Sequence, residues 1–182
     1  MNGFNYEPSK WYWLADDGRI FSSAQQSIVA ADDAGYVAWR EAGGSPTSWP
    51  RDASGAQTSD ALQDVLAPYG LFASLQAYAA SVRYSKEVGG FTVNGVKYPS
   101  DRESQAKLTA AALFAQVDNT KTFVWKLDDG TFSPSLNATQ MIEVAAAVGG
   151  YVNDCFAKEA TTIAAITAGT ITTRDQVDAG FA

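Results

Sequence analysis

A chain of 182 residues that is 46% hydrophobic and 18% charged has enough apolar material for one good core or two small ones, and too little charge for a disordered tail. Its 20 acidic against 13 basic residues leave a net charge of -7, the wrong sign for neutralising the phosphates of a nucleic acid or an anionic membrane surface. No histidine is present and Cys155 is the single cysteine, which removes Ser-His-Asp triads, imidazole metal sites, an intrachain disulfide and CxxC redox chemistry.

Four of the five tryptophans, Trp11, Trp13, Trp39 and Trp49, fall in the first 50 residues, whereas the alanine-rich periodic stretches follow Asp60. This asymmetry predicts three parts: an aromatic N-terminal unit over 1–42, a Gly/Pro/Ser linker over 43–59 and a mainly helical domain over 60–182. In the first part, Asp17-Gly18 between aromatic and β-branched residues predicts a hairpin with a type I′ turn. Asp32-Asp33 then caps a short helix that carries Tyr36 and Trp39 and stops at Gly43.

Beyond the linker, Ser59-Asp60 opens a helix with Leu62, Val65 and Leu66, interrupted by Pro68. Leu71, Leu75, Tyr78 and Val82 follow the spacing of one buried stripe, so a second helix is expected from Leu71 to Val88, with Arg83 and Glu87 paired on an exposed turn. Asn94-Gly95 sets a two-residue hairpin over 91–98, with Val93 facing Val96 and Phe91 facing Tyr98 on one buried side. Ser100-Asp101-Arg102-Glu103 reads as a capping box in which Ser100 bonds the Glu103 amide, ahead of a helix whose apolar face is marked by Leu113 and Val117. A second hairpin over 123–132 would turn at Asp129-Gly130 and place Phe123, Trp125, Leu127 and Phe132 on the same side. Asn137, three residues before Gln140, caps a long helix with Met141, Ala145, Val148, Val152 and Cys155 on one face. Gly149-Gly150 inside it predicts a kink or a close helix crossing. Gly169 ends it, and Thr173 to Gln176 opens a short terminal helix.

Chemistry has few places to sit. The most polar cluster joins Arg83, Lys86 and Glu87 to Asp101, Arg102, Glu103 and Gln105 across the 91–98 hairpin, and its simplest reading is a salt-bridge and capping network that docks the hairpin on its helices. The Asp pairs at 16/17, 32/33 and 128/129 lack the alternating carboxylates of a calcium loop and read as turn chemistry. No metal or cofactor is expected, and no catalytic residue is assigned. The outward-pointing candidate is the aromatic set Trp11, Tyr12, Trp13, Tyr36, Trp39 and Trp49, because Trp and Tyr are enriched at interface hot spots and a small unit has little room for them. The alternative is that these rings are the core of their own unit.

The run from Tyr78 through Arg83, Lys86, Glu87, Gly89 and Gly90 to Asn94-Gly95, followed by Asp101, Arg102, Ser104 and Gln105, resembles the signature of an uncharacterised domain family of tailed-bacteriophage tail proteins. Trp125 to Gly130 and the helix through Cys155-Phe156 fit the same pattern, so the resemblance spans about residues 70–180. Trp13 to Ser23 and Pro46 to Pro50 resemble the variable front part found on such proteins.

The resemblance implies a virion component that attaches or positions tail fibres at the tail or baseplate. The alternatives are a fibre-assembly chaperone that leaves before the virion is complete, a host-receptor-binding module, and a carboxylate-based glycan hydrolase. The expected partner is a fibre or baseplate protein, with homo-oligomerisation left open and neither nucleic acid nor membrane insertion expected. Without a signal peptide or an apolar span, the chain is expected to be soluble, made in the host cytoplasm and carried in the virion tail. The expected fold is α+β: a Trp-rich β-containing unit, a linker, and a helical domain with two hairpins.

Overall fold

The computed structural model describes residues 5–182 and has an α+β fold. It divides into two compact units, one ending at Tyr78 and one running from Ala79 to Ala182. In the first, β1 (Tyr12–Leu14), β2 (Ile20–Ser22), β3 (Ser27–Val29) and β4 (Thr47–Ser48) form one sheet in the order β3-β2-β1-β4. β1 and β2 are antiparallel with Trp13 opposite Phe21, whereas β4 joins parallel to β1. The β1–β2 hairpin forms, with a different turn from the one expected. Ala15 and Arg19 close a three-residue loop in which Gly18 alone takes a positive φ, 88°, and Asp17 accepts the Arg19 amide.

The segment 43–59, expected as a linker, is built into this first unit. Thr47 and Ser48 make β4, and Trp49 is 2% exposed, with its indole donating to the Thr58 carbonyl at 2.8 Å. Arg51 pairs with Asp16, and Gln57 accepts the Asp16 amide at 2.7 Å while donating to the Trp49 carbonyl at 3.0 Å. Long-range polar pairs and one large buried ring therefore hold a stretch that has no periodicity of its own. α1 (Ala34–Glu41) is capped by Asp33, which accepts the Tyr36 amide. α2 (Ser59–Leu66) is capped by Thr58 rather than Ser59 and turns Leu62 and Leu66 into the same core as Trp11, Trp13, Phe21 and Trp49. The domain boundary consequently falls not at 43–59 but inside the next helix, α3 (Leu75–Glu87). This helix starts four residues later than expected, because Leu71 and Ala73 are spent closing the first core.

The second unit contains β5 (Phe91–Val93), β6 (Val96–Tyr98), α4 (Arg102–Val117), α5 (Ala138–Thr167) and α6 (Arg174–Gly180). The 91–98 hairpin has the expected register, and both Asn94 and Gly95 take positive φ (51° and 77°), as a type I′ turn requires. α4 and α5 pack together, burying Leu108, Ala112 and Ala115 against Met141, Val144 and Val148. The expected apolar face of α4 is thus the wrong one, since Leu113 and Val117 lie outside at 59% and 85% exposure. Ala112 and Ala115 beside Leu108 make the inner face, where small side chains let two helix backbones approach.

The 123–136 ribbon also departs from expectation. Leu127 and Thr131 close a three-residue loop, Phe132 pairs with Lys126, and the register is shifted by one. Phe132 therefore points away from Phe123, Trp125 and Leu127 and is 64% exposed. Within α5, a Cβ on Gly149 or Gly150 would meet nothing within 4 Å, so the pair marks no close crossing and the helix runs through it. Asn137 with Gln140 and Thr173 with Gln176 form complete capping boxes, and Gly169 follows α5 at φ 73°. Among the described residues, no helix is long and apolar enough to cross a membrane.

Candidate functional site

The aromatic set does not form an outward surface. Trp11, Tyr12, Trp13 and Trp49 are buried, and Tyr36 and Trp39 are half-buried against them. The indole N–H of Trp11 donates to Thr47 Oγ1 at 2.8 Å and that of Trp13 to Ser23 Oγ at 3.3 Å, so each ring buries its body and satisfies its polar edge inside the unit. Trp39 lies so close over Gly44 that a Cβ there would come within 2.4 Å of the ring. Trp11, Trp13 and Trp49 belong to the core of the first unit with Trp39 packed against it, Tyr12 is buried, and only Tyr36 and Trp39 keep partial exposure, so the set offers no broad outward aromatic face. The four short strands and two helices enclose more aromatic surface than their length suggested.

The signature residues of the second unit do converge. The last turns of α3, the β5–β6 hairpin, the first turn of α4 and the middle of α5 meet at one corner. Arg83 reaches from α3 to two carboxylates: Glu87 one turn along, and Glu159 on α5 at 3.0 Å from its Nε. Its guanidinium also lies 4.5 Å from the Phe156 ring centroid. The Arg83–Glu87 pair, expected on an exposed turn, is interior, with Glu87 only 5% exposed, because α5 covers it. Taking charges from water is costly, and their mutual pairing plus added hydrogen bonds must offset that cost. Gln105 supplies one such bond, its Nε2 lying 3.5 Å from Glu87 Oε1 and 2.7 Å from the Ser100 carbonyl.

Ser100 is fully buried and is not the cap of α4. Its hydroxyl donates to the Glu87 carbonyl and accepts the Gly90 amide at 2.9 Å. The end of a helix leaves its last carbonyls without helical partners, and the amide at the start of a strand needs an acceptor; one hydroxyl answers both. The cap is Asp101, which accepts the Glu103 and Ser104 amides at 3.0 and 3.1 Å and the Ser104 hydroxyl at 2.6 Å. These bonds, with the Ser104 hydroxyl foremost, hold the Asp101 carboxyl below its ordinary value. Glu103 pairs with Lys107 on the surface instead of reaching back.

The remaining signature residues have distinct places. Gly90 has φ 88°, and a Cβ on it would come within 2.6 Å of the Lys97 side chain and 3.1 Å of the Tyr98 carbonyl, so glycine is needed there on both counts. Gly89 is exposed next to it. Lys86 contributes its carbonyl, which accepts the Tyr151 hydroxyl and the Gly89 amide, while its side chain is exposed. Arg102 is also exposed and sits 5.8 Å from the Tyr84 ring centroid. Sequence reasoning missed Glu159, Phe156 and Tyr151 as members of the corner. They lie on α5, 65 to 76 residues from their partners, and no local spacing links them.

The second unit has a hollow beside the corner and another at its hairpin turns. One of about 170 Å³ is lined by Lys86, Tyr151, Asp154, Cys155, Lys158 and Phe181, where burial pushes both the Cys155 thiol and the Tyr151 hydroxyl up from their ordinary values. Another of about 530 Å³ lies between the turns at Gly95-Val96-Lys97 and Leu127-Asp128-Asp129. Among the described residues, no three His, Cys, Asp or Glu side chains are grouped to hold a metal ion. The aspartate pairs serve turns and caps: Asp17 accepts from Arg19, Asp33 caps α1, and Asp129 accepts the Thr131 amide at 2.9 Å. Chemically, the corner is a closed lock whose groups spend their bonding capacity on one another.

A family model described as a domain of unknown function, DUF4376, matches residues 71–180. No curated protein and no solved structure matches the chain.

Proposed function

The chain belongs to the DUF4376 family, a domain of unknown function, and from the resemblance of its signature residues to those of tailed-phage tail proteins we propose that it is a structural component of a tailed-phage virion that attaches or positions tail fibres. The observation that supports the docking part of this reading is the direction of the large apolar side chains on the second unit. Leu113, Phe114, Val117, Val124 and Phe132 are all at least half exposed, while Leu108, Ala112 and Ala115 face the core. Apolar groups of this size turned outward mark a surface that another protein covers. The signature residues give that surface a fixed frame, because the Arg83, Glu87 and Ser100 lock ties both ends of the β5–β6 hairpin to α3, α4 and α5.

Docking is therefore assigned to the second unit, on the outer face of the 123–136 ribbon where Val124 and Phe132 point outward, and not to the tryptophans. The test is mass spectrometry of purified mature particles, made with the wild-type chain and with Phe132→Ser. The expected outcome is a copy number at a symmetric multiple of the fibre or baseplate proteins, reduced several-fold by the substitution. Absence from particles despite expression in infected cells would replace this reading with that of an assembly chaperone.

A further inference from the structure

We propose that the outward face of α4 is a homodimer interface, on which a second copy of this chain packs antiparallel across a two-fold axis. This rests on reading the outward apolar residues of the second unit as interface, and it assigns the α4 part of them to self-association. At about 100° per residue, Ala106, Ala110, Leu113 and Val117 fall within a sector of about 60°, directly opposite the buried Leu108, Ala112 and Ala115. All four are exposed, with Phe114 flanking them. No charged side chain occurs from Leu108 to Val117. From Leu108 to Val117 the helix carries two apolar stripes, separated on one side by Thr109 and Gln116, and only one of the two stripes is covered within this chain.

The order of sizes along the stripe selects the occupant. Its N-terminal half is small, Ala106 and Ala110, and its C-terminal half is large, Leu113 and Val117. Their spacing of four, three and four residues is that of a helix-pairing seam. A two-fold axis between Ala110 and Leu113 sets Leu113 against the second copy's Ala110 and Val117 against its Ala106, so each large side chain meets a small one, and the same contact is made twice. Parallel pairing would set large against large and leave alanines facing alanines.

The flanking charges agree with the antiparallel choice. Glu103 and Lys107 stand at one end of the stripe and Asp118 and Lys121 at the other, all in surface pairs within the chain. Reversing one copy brings Glu103 beside the second copy's Lys121, and Lys107 beside its Asp118. In a chain of net charge -7, an uncharged contact with opposite charges at its rim also avoids repulsion between copies. With Leu113 at 59%, Phe114 at 50% and Val117 at 85% exposure, pairing would cover roughly 500 Å² on each copy, about 1,000 Å² in all, at the lower end of specific interfaces. The dimer is accordingly reversible and concentration-dependent.

Sedimentation of the full chain from about 1 µM to about 300 µM tests this. The weight-average mass is expected to rise from 19.4 kDa toward double that value. Leu113→Asp and Val117→Asp, at exposed positions, should each weaken the dimer at least tenfold with an unchanged far-UV circular dichroism spectrum. Oxidation of an A106C V117C double variant should give a covalent dimer, and A106C alone should not. A mass fixed at 19.4 kDa throughout, a dimer indifferent to both aspartates, or equal cross-linking by A106C alone would each overturn the proposal. None of these results depends on virion incorporation, which Phe132→Ser reads separately, so the two proposals fail independently.

Discussion

Replacing Ser100 by alanine separates two accounts of the corner. If Ser100 were the N-cap of α4, its loss would cost about 1 kcal/mol, the usual value for a cap, and Glu103 would share in the effect. In the structure Ser100 is fully buried and serves the Gly90 amide and the Glu87 carbonyl, while Asp101 caps the helix. Ser100→Ala removes one hydroxyl and strands two backbone groups, with Glu87 itself buried beneath α5. An unsatisfied buried group costs about 1–3 kcal/mol, so two would cost about 2–6 kcal/mol, and because Gly90 is only half-buried the expected destabilisation is in the lower part of that range, about 2–4 kcal/mol. With an m-value of about 2 kcal/mol/M in urea, the midpoint should move down by about 1–2 M. Far-UV circular dichroism through a urea titration reads this, because α4 and α5 dominate the helical signal. The controls are Asp101→Ala, expected at about 1 kcal/mol as a cap, and Glu103→Ala, expected within about 0.5 kcal/mol because it loses only a surface pair. A Ser100→Ala shift no larger than that of Asp101→Ala, or a Glu103→Ala shift matching it, would refute the clamp.

Two further predictions concern glycine and acid. Gly44→Ala should destabilise by about 1–3 kcal/mol, since its Cβ would sit 2.4 Å from the Trp39 ring, whereas Gly150→Ala, with open space around it inside α5, should stabilise by up to about 1 kcal/mol. Urea midpoints of the two variants moving in the same direction would contradict the packing described. Asp101 has its carboxyl lowered in the folded state, so the stability it contributes is fully present above its unfolded value and is lost as pH falls through the folded one. Asp101→Asn keeps a cap acceptor but cannot titrate, so its melting temperature should fall less than that of the wild type between about pH 6 and about pH 2.5. Equal losses would show that the Asp101 charge takes no part.

Local signals in the sequence specified what local physics controls. Asn94-Gly95 determined a turn in which both residues take positive φ, and with it the pairing of Phe91 with Tyr98. Asn137 with Gln140 and Thr173 with Gln176 determined where helices begin, and Gly169 where one ends, because a cap or a left-handed residue needs partners only three or four positions away. Arg83 and Glu87, four residues apart, were legible as a pair for the same reason.

Whatever depended on partners distant in the chain was settled only by the tertiary structure. Glu159 joins Arg83 from 76 residues away and turns a surface pair into an interior one, and Ser100 leaves the helix cap to serve a carbonyl 13 residues back. The aromatic residues that read as a docking face became a core once β4 and α2 closed over them, and the stretch between those elements ceased to be a linker when Trp49 was buried. On α4 both faces are apolar, so periodicity alone had no means of choosing the inner one. The packing of α5 against Leu108, Ala112 and Ala115 made that choice and left Leu113 and Val117 outside.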